Sequence, residues 1–344
     1  MKAIVQHAFG GPEVLKCEDI ATPEPGPDDV LLRVHAVSVN RTLDLSVRAG
    51  TYVRKPKLPH ILGVDPSGVI EAVGRNVATR KVGDRVFVNL FVPTTDPVAP
   101  LVREVGRVFL LGVDIWGGYA ECVRVPACNT HLVPDGLSFH DATVIARHTP
   151  TALNLIENRG KVAAGEWVLV MGAAGGLGSA AVQIARLSGA KVIAAAGADG
   201  RVQAARDLGA DYGINYRRQD LADEIARLTG GHGVDLVCEN VGDPVLWRAA
   251  FEAMATGGRM VTAGAHAGDE VALSLRRLYL RRLQIIGDGS EAPGGIARAF
   301  ELARDGKVVA KIDRVLPLRE AAVAQELVAA RDTLGKVLFD PTLA

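Results

Sequence analysis

The sequence predicts an α/β protein in which a doubly wound parallel sheet stands beside an all-β, barrel-like region. Three observations carry that expectation. Residues 167 to 178, Trp-Val-Leu-Val-Met-Gly-Ala-Ala-Gly-Gly-Leu-Gly, run an apolar strand into a glycine-rich turn ahead of a long apolar helix. From about Val168 to Gly287 strand-like and helix-like stretches alternate, whereas from Met1 to about Val125 the chain reads as short strands divided by Pro and Gly.

In chain order, the first region offers strands at Glu13–Glu18, Val30–Val37, Gly68–Val73, Arg85–Val88 and Ala120–Val125. Leu90 to Trp116 has no clear period, and Thr94-Thr95-Asp96-Pro97 within it reads as an exposed loop. The second region offers strands at Trp167–Met171, Val192–Ala196, Tyr212–Ile214, Leu236–Glu239, Arg259–Thr262 and Leu283–Ile286, the first two joined by a crossover helix over Ser179–Leu187. Val308 to Asp340 returns to a strand, a helix over Leu318–Arg331 and a last strand, Lys336–Phe339. That strand is expected to rejoin the N-terminal region, which makes one domain discontinuous: residues 1–128 with 291–344, and residues 129–290.

At 344 residues and 48% hydrophobic content the chain can bury two cores without metals or disulfides. Its 39 basic and 39 acidic residues cancel, which gives no electrostatic case for nucleic acid or an anionic membrane. The four cysteines, Cys17, Cys122, Cys128 and Cys238, are scattered without metal-ligand spacing. No signal-peptide pattern opens the chain, and the most apolar stretch, Val168 to Ala198, is interrupted by glycines and Arg186. These features predict a cytoplasmic protein that acts on small molecules.

The glycine turn has the chemistry of a phosphate cradle. A Cβ at Gly175 or Gly176 would block backbone approach to a pyrophosphate, and Gly178 lets the helix pack closely on the strand. The helix N-terminus adds free N–H groups and a positive dipole end. A dinucleotide site is therefore expected on Ala174, Gly175, Gly176, Leu177 and Gly178, although the first glycine of the usual pattern is Ala173. An NAD site places an acid at the end of the second strand to bind the ribose 2′-OH. Here that strand ends Ala194-Ala195-Ala196-Gly197, and Asp199 falls two residues late, at a helix-capping position.

Five stretches together resemble the medium-chain dehydrogenase/reductase superfamily, in its zinc-free quinone oxidoreductase-like branch. They are Gly10–Leu15; Val39–Asp44 with Arg48–Tyr52; Gly63–Val69; Ala173–Gly178; and Gly335–Leu338. The resemblance implies a Rossmann domain joined to a discontinuous GroES-like β-barrel catalytic domain. It further implies NADPH rather than NADH, held by Gly197, Arg201 and Tyr216 of Ile214-Asn215-Tyr216-Arg217. A small residue leaves room for a 2′-phosphate, while the arginine and tyrosine supply charge and a hydroxyl or a ring face. The nicotinamide end is implied at Asn240, Gly242, Ala263, Gly264 and Ala265, where turn chemistry alone also explains the glycines.

Zinc-dependent members of the superfamily hold their catalytic metal on a Cys, a His and a Cys. In the matching stretches this chain has Asn40 or Arg41, then Val64, then Arg147 or His148, and Leu90–Gly112 lacks the cysteines of a structural zinc loop. No zinc is expected. One residue more than in relatives separates Asn40 from Asp44. Asp44 and Asp65 match acidic positions of the family, and with Arg41 and Arg147 they admit two readings: ion pairs where a metal once sat, or arginines that bind a substrate oxygen bidentately.

Tyr52 and His148 fall in stretches that match the family's cleft-lining segments and are candidate proton or hydrogen-bond donors. Each has a plain alternative, Tyr52 as cleft lining and His148 as a satisfied histidine at a helix start. The leading expectation is an NADPH-dependent reductase of quinones or of the activated C=C bonds of α,β-unsaturated carbonyl compounds. A metal-free alcohol dehydrogenase or ketone reductase comes second, and a non-catalytic NADPH-binding protein third. Most members of the family form homodimers, and Leu283–Ile286 would be the pairing edge.

Overall fold

The computed structural model describes residues 1–92, 108–268, 270–331 and 333–343. The chain forms two compact units, Met1–Arg147 with Ile312–Ala344, and His148–Lys311. By packing, then, the division falls at 147/148 and 311/312 rather than at 128/129 and 290/291. The Thr94–Pro97 loop lies outside the described residues.

The first unit begins with β1 (Lys2–Gln6), β2 (Leu15–Asp19), β3 (Asp29–Ser38), α1 (Ser46–Ala49), β4 (His60–Ile61), β5 (Ser67–Val73) and β6 (Arg85–Val88). It continues with β7 (Phe91–Val92), β8 (Phe109–Leu110), β9 (Cys122–Pro126), β10 (Thr130–Leu132) and most of α2 (Phe139–Leu153). The second unit carries β11 (Trp167–Met171), α3 (Gly176–Leu187), β12 (Lys191–Ala196), α4 (Asp199–Asp207), β13 (Tyr212–Asn215) and α5 (Leu221–Thr229). To these it adds β14 (Val234–Glu239), α6 (Pro244–Glu252), β15 (Met254–Thr262), α7 (Leu275–Leu280), β16 (Gln284–Gly287) and α8 (Gly295–Arg304). The chain then re-enters the first unit with β17 (Ile312–Leu316), α9 (Ala321–Ala330) and β18 (Lys336–Phe339).

Strand order in the second unit is β13-β12-β11-β14-β15-β16, all parallel. This is the doubly wound sheet expected, with the order reversing beside β11. Its central strands are apolar on both faces, as a sheet covered by helices requires, and Leu169, Met171, Ile193, Val237 and Met260 are fully buried.

In the first unit β3 is the organising strand. It pairs antiparallel with β5 and β9, and β18 returns to it through Leu338↔Ser38 and Phe339↔Val37. The discontinuous architecture expected from the C-terminal strand is thus present. Where Glu13–Glu18 was expected as one strand, Pro12–Val14 forms a 3-10 turn and β2 starts at Leu15, because the proline ring presets a tight turn. The Leu318–Arg331 helix divides likewise into a 3-10 turn, Leu318–Glu320, and α9.

Candidate active site

Arg41–Leu45 forms a five-residue π-helical turn that leads into α1. Such π turns concentrate at functional sites. This one carries Asp44 into the barrel interior, where the carboxylate is buried. Asp44 Oδ2 accepts from the Asn40 backbone N–H at 2.7 Å and from the Tyr119 hydroxyl at 2.9 Å, while Oδ1 has no partner. Burial pushes the Asp44 pKa up to about 7, and the Asp65 carboxylate nearby adds to the rise.

Asp65 follows the turn at Gly63, whose φ of +101° suits glycine and where a Cβ would meet the Tyr119 ring at 2.5 Å. Its carboxylate accepts the Ser38 N–H at 2.8 Å, the Ser38 hydroxyl at 2.5 Å and the Asn40 side-chain amide at 3.1 Å. Lys336, the first residue of β18, reaches the same cluster. Its ammonium donates to Val39 O at 2.9 Å and to Asn40 Oδ1 at 2.8 Å. Burial lowers its pKa to about 8, opposed by Asp65 and Asp44 and assisted by the Arg147 charge.

The ion-pair reading of the arginines is corrected for Arg147. Asp65 is satisfied by Ser38 and Asn40, the cation inside the cluster is Lys336, and Arg147 pairs with neither carboxylate among the described residues. Arg147 is half-buried on α2, with Nε in the interior and no hydrogen-bond partner. Arg41 opens the π turn, and Tyr52 packs partly buried against the barrel core. Lys336 was visible in the sequence only as part of a Gly-Lys-Val-Leu stretch. Nothing in a strand-initial lysine announces that its stem will be buried, so its place depends on β18 pairing with β3.

In the second unit the glycine turn lies between β11 and α3. A Cβ on Gly178 would sit 2.2 Å from Gly172 O, so glycine there is needed for close packing, as expected. A Cβ on Gly175 would find only Gly172 O at 3.3 Å, which leaves this position open for a ligand. The rationale for Gly176 changes: a Cβ there would come within 2.3 Å of His148 Nε2, so the imidazole packs directly on the turn. His148 is also not at a helix start, since α2 begins at Phe139.

At the end of β12, a Cβ on Gly197 would lie 3.1 Å from Tyr216 Cε2 and its hydroxyl and 3.3 Å from Arg217 Nε. Arg201 stands in the first turn of α4, and neither its guanidinium nor that of Arg217 is engaged by a hydrogen bond or ion pair among the described residues. Asp199 is the first residue of α4, not its cap: its carboxylate takes the Asn215 amide and the Arg218 guanidinium, each at 2.5 Å. Arg217, missed in the sequence, is legible only once β13 is laid beside β12.

At the ends of β14 and β15, the buried Glu239 carboxylate accepts from Val241 N at 2.8 Å and Gly242 N at 3.0 Å. It thereby fixes the turn through Asn240. Burial raises its pKa. Gly264 approaches the same turn, a Cβ there falling 2.8 Å from Asn240 O, and Ala263 N donates to Glu239 O at 3.2 Å. Ala265 lies beside Gly242, 3.0 Å from where a Cβ on that glycine would stand. Asn240, Gly242, Ala263, Gly264 and Ala265 therefore form one cluster at the carboxyl ends of the strands, where open α/β sheets bind ligands.

The positions that match zinc ligands hold Asn40 or Arg41, Val64 and Arg147 or His148. Val64 is fully buried and has no donor atom, and a buried ammonium stands in the Asn40 cluster. These residues do not fit a catalytic zinc. No group of three or more His, Cys, Asp or Glu side chains among the described residues is disposed to hold a metal. No helix among them is long and apolar enough to cross a membrane.

Comparison with known proteins agrees with this architecture. Residues 26–135 match the alcohol dehydrogenase GroES-like domain and residues 176–303 the zinc-binding dehydrogenase family. The chain is 32% identical over 345 residues to a quinone oxidoreductase of Sus scrofa, covering 98% of this chain and 97% of that one. It is 30% identical over 355 residues to a 2-haloacrylate reductase of a Burkholderia species, covering 98% of each. A solved NAD-dependent alcohol dehydrogenase superposes with a TM-score of 0.88 at 37% identity, over 99% of each chain. The chain belongs to the medium-chain dehydrogenase/reductase superfamily of oxidoreductases, in its quinone oxidoreductase-like branch.

Proposed function

We propose that this protein is an NADPH-dependent, zinc-independent reductase of quinones or of activated C=C bonds. The observation that carries the cofactor reading is the corner at Gly197, where Tyr216 and Arg217 close on a residue without a side chain and Arg201 lies on the adjoining helix. Two guanidiniums without partners among the described residues suit a 2′-phosphate dianion, and the acid at this corner, Asp199, is already taken by Asn215 and Arg218. Gly175 and its neighbours would hold the pyrophosphate, and the Asn240, Gly242 and Ala263–Ala265 turns the carboxamide. The second unit is thus the nucleotide domain and the first the catalytic domain.

When bound, a reduced nicotinamide supplies a hydride. Without a Lewis acid the residues of the chain must hold the oxygen that gains charge and deliver a proton. Candidates are Arg41, Tyr52, Arg147 and His148, with Asp44 and Asp65 setting the electrostatics behind them. The 2-haloacrylate reductase named above suits an activated alkene. The alcohol dehydrogenase among the solved structures keeps ketone reduction as the second reading. A homodimer fits the edge position of β16 and the exposed Leu275, Tyr279, Leu280 and Ile285 around it.

The test is NADPH and NADH oxidation against a quinone, an enone and a simple ketone, with Arg201→Gln and Arg217→Gln beside the wild type. Each variant is expected to weaken NADPH about tenfold or more and to leave NADH unchanged. Equal use of the two cofactors by the wild type, or activity that requires added zinc, would refute the proposal.

A further inference from the structure

Around Asn40 the cations Lys336 and Arg147 face the Asp65 carboxylate and an Asp44 carboxyl that burial holds partly protonated near neutrality. Lys336 is buried, yet both of its hydrogen bonds end on neutral oxygens, Val39 O and Asn40 Oδ1. Asp65 is satisfied by three donors from the neutral residues Ser38 and Asn40. Arg147, close enough to lower the proton affinity of Lys336, has no hydrogen-bonded or ion-paired partner among the described residues, and its Nε is buried. With Asp65 as counter-charge to Lys336, the half-buried Arg147 guanidinium is a second cation that is costly unless a further anion completes it.

We propose that Arg147, backed by Lys336, is the seat for the carboxylate of an α,β-unsaturated acid, which makes acids rather than neutral quinones the preferred acceptors. The inference rests on the reductase reading above. An anionic oxygen on Arg147 has two sources, a substrate carboxylate and a phosphate of the dinucleotide. The substrate is favoured because the nucleotide has other accommodation on the second unit: the open Gly175 turn at the start of α3, and Arg201 and Arg217, whose guanidiniums have no partner among the described residues. The guanidinium fork matches a carboxylate in two parallel hydrogen bonds and stays charged throughout the reaction. In that reaction a hydride adds to the β-carbon, the C=C π pair moves toward the carboxylate, and a proton then closes the α-carbon. The acid leaves saturated and the cofactor oxidised.

The test uses full-length protein and two matched pairs: crotonate with crotonamide as acceptors, and butanoate with butanamide as unreactive probes. With NADP⁺ bound, butanoate should bind the wild type and lose about 10- to 100-fold in affinity in Arg147→Gln. The crotonate-over-crotonamide ratio of kcat/KM should fall by a similar factor. Arg147→Lys, which keeps the charge without the fork, should lie between the two and serves if the glutamine variant folds poorly. Butanoate binding that is unchanged in Arg147→Gln overturns the proposal. So does a loss of NADPH affinity as large as that of butanoate, which would give the seat to a phosphate. If no acceptor is reduced while butanoate binding still follows Arg147, the reductase reading fails and the carboxylate seat stands.

Discussion

Replacing Asp44 by Asn isolates the charge state of the barrel interior. The amide keeps an oxygen for the Asn40 N–H and the Tyr119 hydroxyl, and its NH2 takes the place of the unpartnered Oδ1. In the folded chain, burial and then Asp65 hold the Asp44 pKa at about 7, against 3.8 ordinarily, with Lys336 pulling it down. The folded protein therefore binds one more proton than the unfolded chain between those two values. Stability from this group is full below 3.8 and is lost as pH rises through about 7. The interval spans roughly three pH units at about 1.4 kcal/mol each, so the maximum loss is about 4 kcal/mol. Wild type should weaken relative to Asp44→Asn from pH 4 to 7, and the gap should stay constant above pH 8. Infrared titration offers the direct check, because a protonated buried carboxyl gives a carbonyl band that the asparagine variant lacks. A band that disappears below pH 5, or a stability gap that does not change with pH, would refute the reasoning.

Three further outcomes follow from the glycine turn of the second unit. Gly178→Ala would force a Cβ to within 2.2 Å of the Gly172 carbonyl, a backbone atom that cannot step aside; a loss of about 1–3 kcal/mol or more and of dinucleotide binding is expected, read by thermal melting and nucleotide fluorescence. Gly176→Ala meets the side chain of His148 instead, at 2.3 Å, so adding His148→Ala should recover most of the lost stability. Gly175→Ala has only one protein atom near its Cβ, at 3.3 Å, so it should fold normally yet bind NADPH more weakly, which calorimetry on the two proteins would show.

The parallel sheet was legible in the sequence because each strand is a short apolar run bounded by turn residues: β11 stands where the pattern placed it, four strands are longer by one to five residues, and β16 is shifted by one. Helix starts were less legible. α3 begins at Gly176 instead of Ser179, since glycines in a first turn conceal a helix whose geometry is set by packing on β11. The acidic residues of the barrel were found, but their partners were not. Asn40, Tyr119 and Lys336 lie far from Asp65 in sequence, and only the pairing of β18 with β3 and the approach of Tyr119 to Gly63 bring them together. His148 and Gly176 were each visible, but their contact was not, because nothing local links them.

The late return of β18 also sets an order of assembly. Residues 148–311 form a contiguous unit that can close as it leaves the ribosome, while the barrel waits for a strand some three hundred residues after the one it pairs with. Until Lys336 arrives, Val39 O and Asn40 Oδ1 lack the donor that the finished fold gives them. Synthesis therefore completes the second unit first, and a chain cut short before β18 would keep that unit while leaving its barrel open along β3.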